Sequence, residues 1–364
     1  MNIGIDASRA ARPIRTGTEH YSLHVIRALV DLGADHTFTL YFNRPPEPGL
    51  FPARPNVRVR VIPFPRLWTH VRLAAEIAMR PPDVLFVPAH VLPLVPGRAV
   101  ATVHDLGYHY FPQAHPWAAR MYLEWGTRHN ARASRLVIAD SRATRDDLVR
   151  FYRVPADKIR VAYPGLRPDV RPVRDKAALD ATLRRYGIEP PYVLYVGTLQ
   201  PRKNLRRLRE AFARVPPPYR LVLAGSKGWM YGEILRRAGE LGIGDRVLFP
   251  GYVPDEDLPT LLSGAALFAF PSLYEGFGLP ALEAMACGAP VVCSDTSSLP
   301  EVAGDAAILV PPTDTDALAA AMNRVLADAD LRADLSRRGM ERARLFTWRR
   351  CAEEILKALE DAAA

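Results

Sequence analysis

The chain has 364 residues, 49% of them hydrophobic and 24% charged, which is ordinary for a soluble globular protein. This length predicts two domains, each large enough to bury its own core, and no apolar run reaches the length of a membrane span. The formal net charge of +9 favours anionic partners, but the basic residues are dispersed and form no known nucleic-acid-binding motif, so we expect no nucleic acid partner.

Short apolar runs alternate with longer helical patterns along the whole chain, and this alternation predicts βαβ units around parallel sheets. In the first half, the predicted strands are Asn2–Asp6, Thr37–Phe42, Arg58–Ile62, Val84–Pro88, Ala99–His104, Leu136–Ala139 and Ile159–Ala162. The helices predicted between them are His20–Asp31, Leu67–Met79, Ala118–Ala133 and Ser141–Tyr152.

A polar, charged stretch follows Tyr163-Pro164-Gly165 and ends near Pro191, which predicts a linker that contains an amphipathic helix at Lys176–Tyr186. The strands predicted after it are Tyr192–Val196, Tyr219–Ala224, Val247–Phe249, Leu267–Phe270, Val291–Cys293 and Ala307–Val310. The helices predicted in this half are Asn204–Arg214, Met230–Leu241, Asp255–Gly264, Pro280–Cys287, Thr315–Ala327, Leu331–Phe346 and Trp348–Leu359. We therefore expect an α/β fold of two doubly wound, Rossmann-like domains, with ligands at the carboxyl ends of the strands and in the cleft between the domains.

The cysteines and the N-terminus indicate the cellular compartment. Cys287, Cys293 and Cys351 form no close metal-ligand pair, and we expect them to be reduced and structural. The N-terminus enters the first predicted strand at once, without a basic segment followed by an apolar run, so we expect no signal peptide. These patterns favour a cytoplasmic protein.

The run from Glu275 to Glu283 is the most informative local feature of the chain. It joins an apolar strand to a helix that begins at Pro280, through a turn with two glycines. The free backbone N–H groups at the helix start suit an anion or a cluster of hydroxyls. The two carboxylates are strong acceptors for the vicinal hydroxyls of a sugar or a ribose. A solvated surface pair is the alternative, but the glycine turn favours a binding site.

A second turn with binding chemistry follows the first strand of the second half. Gly197 ends this strand, and Arg202 and Lys203 precede the next helix, which is the geometry of a phosphate site. Lysine occurs only five times in the chain, and its compact charge suits a diphosphate. A solvated basic loop is the alternative, but the position at a strand end favours function.

Two further features lie at strand ends in the first half. His104 follows a predicted strand and can donate to a sugar hydroxyl or to the transferring oxygen, while Asp105 either orients the ring or caps the next turn. A lone histidine is more often structural, so position alone distinguishes His104. The loop Arg15–Glu19, with Gly17 at its centre, is a weaker phosphate-binding candidate, because it lacks the full glycine fingerprint.

Together, these features resemble the retaining glycosyltransferases of family 4, also called group 1, which have the GT-B fold of two Rossmann-like domains. The resemblance covers nearly the whole chain, and the block from Glu275 to Glu283 is its most specific motif. The other motifs are the Gly17 loop, His104-Asp105, Ala139-Asp140-Ser141, Tyr163-Pro164-Gly165, Gly197 through Asn204, Gly251-Tyr252-Val253-Pro254 and Pro300-Glu301-Val302.

The resemblance implies a role for each of these positions. Glu275 would hold hydroxyls of the donor sugar, and Glu283 would hold the nucleotide ribose. Arg202 and Lys203 would bind the diphosphate, and His104 would approach the sugar from the other domain. Tyr252 and Val253 would contact the base. The backbone amides of Phe277, Gly278 and Leu279 would contact the sugar or the phosphate. The further donor-binding positions would be Gly17 and Gly197.

One departure from the family pattern concerns the phosphate turn. Many members have Gly-Arg where this chain has Gly197-Thr198, so we expect Arg202 to supply the missing positive charge. With the resemblance, we predict an acceptor-binding domain over 1–168, a linker over 169–190 and a donor-binding domain over 191–345. A C-terminal helix over 346–364 would pack back toward the first domain.

The predicted reaction is transfer of a hexosyl unit, mannose in the first instance, from a nucleoside-diphosphate sugar to a hydroxyl of a glycan or lipid-linked acceptor, with anomeric retention. GDP-mannose is the first candidate donor, and dTDP- and UDP-sugars follow closely. The cations and the helix start can neutralise the leaving diphosphate, so we expect no metal and no other cofactor. We expect same-face attack, because no carboxylate is placed to act as a nucleophile.

Other functions remain compatible with parts of the pattern. Within enzymes, the nearest alternative is a nucleotide-sugar epimerase of the same fold. A dinucleotide-dependent oxidoreductase shares doubly wound domains, although the full dinucleotide fingerprint is missing. A non-catalytic carbohydrate- or nucleic-acid-binding protein would have no need of paired carboxylates beside a diphosphate site.

The segment Leu67–Met79 offers a second interaction hypothesis. It contains Trp68 and Arg72 and is followed by Arg80, a composition compatible with peripheral contact with an anionic membrane at the inner face of the cell. An ordinary amphipathic helix packed on the first sheet explains the same pattern equally well.

Overall fold

Two parallel β-sheets form the framework of the chain. The structure, a computed structural model, describes residues 1–12, 15–89, 91–95, 97–226 and 241–364. The chain divides into two compact units, the first comprising Met1–Gly165 with Phe346–Ala364, and the second Leu166–Leu345. The segment 169–190, predicted from the sequence to be a linker, lies inside the second unit and contains a helix.

Among the described residues, the first unit has a seven-stranded parallel sheet with the strand order β3-β2-β1-β4-β5-β6-β7. Its strands are β1 (Asn2–Asp6), β2 (Thr37–Phe42), β3 (Val57–Val61), β4 (Val84–Val87), β5 (Ala99–Val103), β6 (Leu136–Ala139) and β7 (Ile159–Val161). Strands β4 and β5 are buried throughout, because helices cover both faces of a parallel sheet. The helices after β1 to β6 are α1 (Gly17–Leu32), α2 (Ala74–Met79), α3 (Gly107–Tyr110), α4 (Trp117–Ala133) and α5 (Arg142–Tyr152).

The second unit has a six-stranded parallel sheet in the order β10-β9-β8-β11-β12-β13. Its strands are β8 (Tyr192–Val196), β9 (Arg220–Ala224), β10 (Val247–Gly251), β11 (Leu267–Phe270), β12 (Val291–Ser294) and β13 (Ile308–Val310). Its described helices are α6 (Lys176–Arg185), α7 (Leu205–Phe212), α8 (Leu258–Ser263), α9 (Leu279–Ala286), α10 (Leu299–Ala303), α11 (Thr315–Ala327) and α12 (Ala329–Ala343).

Both sheets reverse their winding at the first strand of the unit. Strand β1 lies between β2 and β4, and β8 lies between β9 and β11, so the loops after these neighbours diverge. A doubly wound sheet opens a crevice at this point, outside the carboxyl ends of its strands. The topology therefore places the Gly17 loop at one switch point, and the Gly197 and Glu275 loops at the other.

The C-terminal helix α13 (Trp348–Ala363) belongs to the core of the first unit. Its apolar stripe recurs at helical spacing and packs on α1 and the sheet; the buried members are Cys351, Ala352, Ile355, Ala358, Leu359 and Ala362. The chain at Gly165 passes so near the start of this helix that a β-carbon there would lie 2.2 Å from the backbone nitrogen of Trp348. Only glycine fits at that position.

Most predicted elements are present, with bounds that differ by one to a few residues. The helices α3 and α10 were not predicted, because elements of four and five residues are too short to show a periodic pattern. The predicted helix Met230–Leu241 lies outside the described residues apart from Leu241. No described helix is both long enough and apolar enough to cross a bilayer.

The predicted helix Leu67–Met79 begins differently in the structure. Leu67 has a left-handed φ of 54°, which a regular helix cannot accommodate, and a π-helical turn at Thr69–Leu73 precedes α2. Trp68 is buried, and its indole N–H donates a 2.8 Å hydrogen bond to the carbonyl of Ile62. Trp68 therefore cannot contact a membrane surface, contrary to the sequence-based hypothesis.

The close approach of two glycine turns in the second unit generates a stability prediction. A β-carbon at Gly225 would lie 2.0 Å from the carbonyl oxygen of Gly197, and Gly225 has a φ of 148°. We expect Gly225→Ala to lower the free energy of unfolding by about 3 kcal/mol or more, because a backbone carbonyl cannot move aside cheaply. Urea unfolding followed by circular dichroism measures the loss.

The matched control is Gly187→Ala. Gly187 has a φ of 65° but open space around its missing side chain, so this variant reports the cost of the backbone conformation alone, about 1 kcal/mol. Equal losses for the two variants would show that the approach of the turns imposes no steric constraint.

Candidate active site

The loop after β8 carries the two predicted phosphate-binding cations. Gly197 has a φ of 148°, and a 3-10 turn at Pro201–Lys203 follows. Asn204, in the left-handed conformation, then donates hydrogen bonds of 3.0 Å and 2.6 Å to the carbonyls of Pro271 and Pro312. These bonds tie the loop to the carboxyl ends of β11 and β13, so the loop after β8 meets the loop after β11.

The loop after β11 is held by serines that the sequence did not single out. The backbone N–H of Glu275 donates to the hydroxyl of Ser297 at 3.0 Å. The Ser298 hydroxyl donates to the carbonyls of Glu275 and Phe277, at 3.0 Å and 2.7 Å. Gly278 has a φ of 106° and caps α9, where a β-carbon would lie 2.7 Å from the side chain of Leu299. The turn is therefore rigid before any ligand arrives.

The structure brings Lys203, Arg202 and Glu275 together in one cluster, in which Lys203 and Glu275 are buried and Arg202 is partly buried. The Lys203 ammonium donates to Glu275 Oε1 at 2.5 Å, and Arg202 Nη1 lies 3.4 Å from Oε2. Arg202 Nη1 also donates to the carbonyl of Tyr274 at 2.6 Å. Lys203 and Glu275 are 7% and 6% exposed, so water screens their attraction poorly. The cluster keeps one net positive charge at the switch point of the second sheet.

The cluster controls the ionisation of Glu275. Burial alone would raise the pKa of this carboxyl, but the positive charges of Lys203 and Arg202 outweigh burial and hold the pKa below its usual range. Glu275 is therefore a carboxylate at neutral pH. It can accept hydrogen bonds from hydroxyls, and it is poorly suited to donate a proton as an acid.

The Glu283 carboxylate lies on α9, close to a cation that the sequence did not identify. Arg167 Nε lies 3.9 Å from Glu283 Oε1, and Arg167 Nη1 lies 2.6 Å from Asp255 Oδ2. All three residues belong to the second unit. Arg167 follows the motif Tyr163-Pro164-Gly165 closely, but no local pattern indicates that its guanidinium turns toward α9.

The other predicted donor-binding residues follow β10 and β11. Tyr252 is 57% exposed and Val253 is buried, both just beyond the carboxyl end of β10. Phe277 is buried, and Leu279 is the first residue of α9. Because all strands of the sheet are parallel, these positions share the edge that carries the Lys203–Glu275 cluster.

An Asp-x-Asp spacing also occurs in this unit, at Asp255 and Asp257. Asp255 pairs with Arg167, and Asp257 accepts hydrogen bonds from Arg185 at 2.8 Å and from the Tyr186 hydroxyl at 2.6 Å. Among the described residues, no group of three or more histidine, cysteine or acidic side chains is arranged to hold a metal ion. Both aspartates are engaged in ion pairs of the fold.

In the first unit, His104 pairs with Asp140 rather than with Asp105. His104 Nδ1 lies 2.7 Å from Asp140 Oδ2, because neighbouring strands β5 and β6 end at these residues. Asp105 instead accepts a hydrogen bond from the backbone N–H of Gly107 at 2.8 Å. Of the two roles predicted for Asp105, the structure shows that it caps the next turn. The parallel pairing of the two strands is the signal that identifies Asp140.

The His104 imidazole lines a cavity of about 330 Å³ in the first unit. Arg9, Thr18 and Tyr108 line the same cavity, together with the side of α4 that carries Tyr122. Gly17, the first residue of α1, has no atom within 4 Å of where a β-carbon would lie. The cavity thus combines hydroxyls, a guanidinium, an imidazole and aromatic rings, a mixture suited to a polyhydroxylated ligand.

The Asp140 carboxylate changes the basicity of His104. Burial lowers the pKa of the imidazole, but the charge and hydrogen bond of Asp140 raise it by more than burial lowers it, so the pKa lies above its usual value. Asp140 therefore fixes the ring orientation and favours the protonated form, as carboxylate partners of catalytic histidines do.

Comparison with known proteins identifies the class of this chain. The family described as Glycosyltransferase Family 4 matches residues 15–170, and the family described as Glycosyl transferases group 1 matches residues 183–342. O-antigen chain mannosyltransferase B of Escherichia coli is 38% identical over 267 residues, which cover 72% of this chain and 70% of that protein. D-inositol 3-phosphate glycosyltransferase of Saccharomonospora viridis is 35% identical over 249 residues, which cover 64% of this chain and 57% of that protein.

Solved structures share the fold of both units. Sucrose-phosphate synthase from Thermosynechococcus elongatus aligns with a TM-score of 0.77 at 24% identity, over 99% of this chain and 98% of that chain. HepE of Anabaena, in complex with UDP and glucose, aligns with a TM-score of 0.76 at 20% identity, over 99% of both chains. The two doubly wound units therefore constitute the GT-B fold, as predicted.

This chain belongs to the family 4, or group 1, glycosyltransferases, and it is a glycosyltransferase enzyme. The family predicted from the sequence is thus confirmed. The epimerase and oxidoreductase alternatives find no support among these relatives.

The buried ion pair generates a stability prediction. We expect Lys203→Met to lower the free energy of unfolding by about 3 kcal/mol at pH 7, because the buried carboxylate of Glu275 loses its nearer cation and keeps only the more distant Arg202. The double variant Lys203→Met/Glu275→Gln buries neither charge and should recover more than half of the loss. Urea unfolding of the two variants and the wild type tests both expectations.

The pH dependence of the same experiment has a definite sign. The pKa of Glu275 is lower in the folded chain than in the unfolded chain, where it is about 4.3. Its stabilising contribution is therefore full above that value and is lost as the pH falls through the folded pKa. The difference in the free energy of unfolding between the wild type and the double variant should therefore decrease as the pH falls. If the single and the double variant lose equal free energy of unfolding at pH 7, the ion-pair account is contradicted.

The His104–Asp140 pair generates a titration prediction. In Asp140→Asn, the pKa of His104 should fall below its wild-type value, because burial then acts without the opposing carboxylate. Asp105→Asn is the control and should cause a smaller shift, since Asp105 is a weaker influence on the ring. Carbon-13 NMR of labelled histidine measures both, and a larger shift in Asp105→Asn would contradict the pairing.

The sign of the linked stability follows from the same direction. Because the fold raises the pKa of His104, protonation of the ring stabilises the folded chain. This contribution is full below the unfolded pKa, about 6.5, and is lost as the pH rises through the folded pKa.

Proposed function

We propose that this glycosyltransferase moves a hexosyl unit, mannose in the first instance, from a nucleoside-diphosphate sugar to a hydroxyl of a glycan or lipid-linked acceptor. The observation that supports the proposal most strongly is the Lys203–Glu275–Arg202 cluster at the switch point of the second sheet. The choice of mannose rests on the 38% identity to an O-antigen chain mannosyltransferase. GDP-mannose is accordingly the first donor to test, followed by dTDP- and UDP-sugars.

The cluster suits a diphosphate because its net charge is positive and its groups are already positioned. Lys203 is held by Glu275 and Arg202 by the Tyr274 carbonyl, so little side-chain entropy is lost when an anion binds. As the bond between the sugar and the diphosphate breaks, negative charge grows on the leaving oxygen. Preorganised cations stabilise that charge in the transition state, and the proposed reaction needs no metal ion.

Glu275 is proposed to hold hydroxyls of the donor sugar. The Glu275 carboxylate is ionised, and Lys203 binds only its Oε1 oxygen. The Oε2 oxygen lies 3.4 Å from Arg202 Nη1, and a carboxylate oxygen can accept a further hydrogen bond from a sugar hydroxyl. The same ion pairs make Glu275 a weak nucleophile, because attack on the sugar would remove the negative charge that Lys203 and Arg202 now share. A covalent glycosyl intermediate on Glu275 is therefore disfavoured.

The proposed mechanism retains the anomeric configuration through same-face attack. The bond between the anomeric carbon and the phosphate oxygen breaks, and the acceptor oxygen bonds to that carbon on the same face. The acceptor proton passes to the departing phosphate, so no protein base is required. In the first unit, the cavity beside His104 is the proposed acceptor site, and the imidazole would orient a sugar hydroxyl there.

Purified protein with GDP-mannose and a hydroxyl acceptor tests this proposal. We expect release of free nucleoside diphosphate, a product whose anomeric proton coupling matches that of the donor, and unchanged turnover in EDTA. Glu275→Gln should lower kcat/KM by about 100-fold, since it removes a charged acceptor from the sugar site. Glu189→Gln, an exposed glutamate of the same unit, is the control and should retain wild-type activity.

Three results would contradict separate parts of the proposal. An inverted product would exclude same-face attack, and loss of turnover in EDTA would exclude the metal-independent reaction. Wild-type kcat/KM in Glu275→Gln would remove the assigned role of the cluster. A thermal-shift panel of GDP, UDP, dTDP and ADP identifies the base, because the tightest ligand raises the melting temperature most.

A further inference from the structure

A chain of hydrogen bonds runs from the wall of the His104 cavity to a glutamate behind it. Tyr108 of α3 lines the cavity, and its hydroxyl lies 2.7 Å from the hydroxyl of Tyr152, the last residue of α5. The Tyr152 hydroxyl lies 2.8 Å from Glu124 Oε2 on α4. Tyr152 and Glu124 are not part of the cavity wall, so they do not contact a ligand there directly. The reaction proposed above gives neither of them a role.

The Glu124 carboxylate determines the direction of every hydrogen bond in this chain. A carboxylate only accepts hydrogen bonds, so the single hydroxyl proton of Tyr152 lies between Tyr152 and Glu124. Tyr152 has no second proton to give, and the proton in the 2.7 Å contact therefore belongs to Tyr108. The Thr127 hydroxyl also hydrogen-bonds to Tyr108, and it donates for the same reason. Each proton thus points along the chain toward Glu124.

Arg128 and His109 hold the end of the chain at Glu124. Arg128 Nη2 lies 3.2 Å from Glu124 Oε1. His109 Nε2 lies 2.8 Å from the Tyr152 hydroxyl, whose proton is already donated to Glu124, so His109 carries a proton on Nε2. Burial lowers the pKa of the His109 ring, and its neutral form is then the Nε2–H tautomer. Burial also raises the pKa of Tyr108 to about 12 and raises the pKa of Tyr152, so both hydroxyls remain protonated at neutral pH.

The direction of the chain gives the cavity an acceptor surface at Tyr108 and Thr127. Both side chains line the cavity, and both hydroxyl protons are engaged along the chain, so a ligand meets the lone pairs of the two oxygens. The carboxylate of Asp105, which also lines the cavity, only accepts. A ligand group beside these three residues therefore binds best when it donates a hydrogen bond.

His104 presents the opposite polarity to the same cavity. Its Nδ1 pairs with Asp140 at 2.7 Å, and its buried Nε2 has no hydrogen-bond partner within the described part of the chain. Although burial opposes it, Asp140 favours the protonated ring, so Nε2 carries a proton and donates. A ligand hydroxyl beside His104 therefore accepts, and a ligand hydroxyl beside Tyr108 donates. The cavity thus distinguishes the hydroxyls of one saccharide by the direction of their hydrogen bonds.

We propose that Tyr152 and Glu124 are positioning residues of the acceptor site, which act through Tyr108 to make the site select a saccharide hydroxyl that donates. This rests on the proposed role of the cavity as the acceptor site, and it adds the kind of group that the cavity recognises. An isolated tyrosine hydroxyl turns its proton to suit the ligand, so it accepts from one group as readily as it donates to another. The committed hydroxyl of Tyr108 instead leaves a group that only accepts without a partner, which weakens binding.

Methyl glycosides test the selection. Ligand-observed NMR with the full chain first ranks the methyl glycosides of mannose, glucose, galactose and N-acetylglucosamine. The one that binds most tightly is then compared with its monodeoxy and monodeoxyfluoro analogues, because fluorine accepts a hydrogen bond weakly and cannot donate one. At one ring position, we expect both analogues to bind the wild type about tenfold more weakly than the parent glycoside.

Tyr152→Phe separates positioning from structural damage. This variant removes the group that accepts the Tyr108 proton, so the proton can turn to the ligand, and the deoxyfluoro analogue should bind within about threefold of the parent glycoside. Structural damage would weaken all the ligands together. Glu124→Leu should reduce the discrimination in the same way, because the Tyr152 proton is then no longer held.

Tyr110→Phe is the matched control for Tyr152→Phe. Tyr110 lies on the same helix as Tyr108, and its hydroxyl donates to Asp147 at 2.5 Å. It does not line the cavity, so this variant should discriminate between the parent glycoside and the deoxyfluoro analogue as the wild type does.

A measurement without ligand tests the proton positions separately. Nitrogen-15 NMR of labelled histidine at pH 8, assigned with the help of His109→Gln, should show His109 as the Nε2–H tautomer. The Nδ1–H tautomer would overturn the proposal, because Nε2 would then accept the Tyr152 proton in place of Glu124. This result does not depend on what the cavity binds.

Two binding results would also overturn the proposal. One is a set of deoxyfluoro analogues that all bind the wild type as tightly as the parent glycoside, and the other is wild-type discrimination that persists in Tyr152→Phe. Wild-type protein that binds none of the glycosides would contradict the acceptor site of the proposed function, and the selection with it. A failure of the selection alone is therefore distinguishable from a failure of the proposed function.

Discussion

The ion pair between Lys203 and Glu275 is the interaction on which the candidate site of the second unit depends. Each charge is buried, and each would be unstable there without the other. The pair joins the loop after β8 to the loop after β11, and Arg202 and Asn204 reinforce the junction through backbone carbonyls. Two loops that are far apart along the chain thus form one rigid surface with a net positive charge. A surface of that kind suits the leaving diphosphate of the proposed reaction.

The parallel pairing of β8 and β11 explains why these loops meet, because the loops that follow neighbouring parallel strands leave the same edge of the sheet. Strand β8 is also the strand at which the second sheet reverses its winding, so the crevice of this doubly wound sheet opens beside the same two loops. Parallel pairing has the same effect in the first unit, where His104 and Asp140 immediately follow the adjacent strands β5 and β6. In both units, the loops that follow neighbouring parallel strands carry the candidate functional side chains, but the side chains differ. One supplies cations and a carboxylate, and the other supplies an imidazole, hydroxyls and aromatic rings.

The limits of sequence reasoning follow from which interactions are local. The strands were predictable because a buried parallel strand is an apolar run, and the motif from Glu275 to Glu283 was recognisable because its turn and helix start are consecutive. The sequence left the role of Asp105 open between orienting His104 and capping the next turn, and it did not identify Asp140 as the partner of His104, because Asp140 is adjacent only through strand pairing. For the segment with Trp68, the sequence left membrane contact and packing on the sheet open, because the burial of this side chain depends on a left-handed residue that no periodic pattern reveals.

The sequence by itself determined the family, the α/β class and the residue types of the candidate site, because these depend on composition, periodicity and contiguous motifs. Only the tertiary structure decided that Lys203 and Glu275 neutralise each other, that Asp140 orients His104 and that Arg167 approaches Glu283. It also decided which aromatic side chains are buried and which reach the solvent. Those outcomes depend on the packing of segments distant in sequence, and charges buried together acquire properties that neither residue has alone.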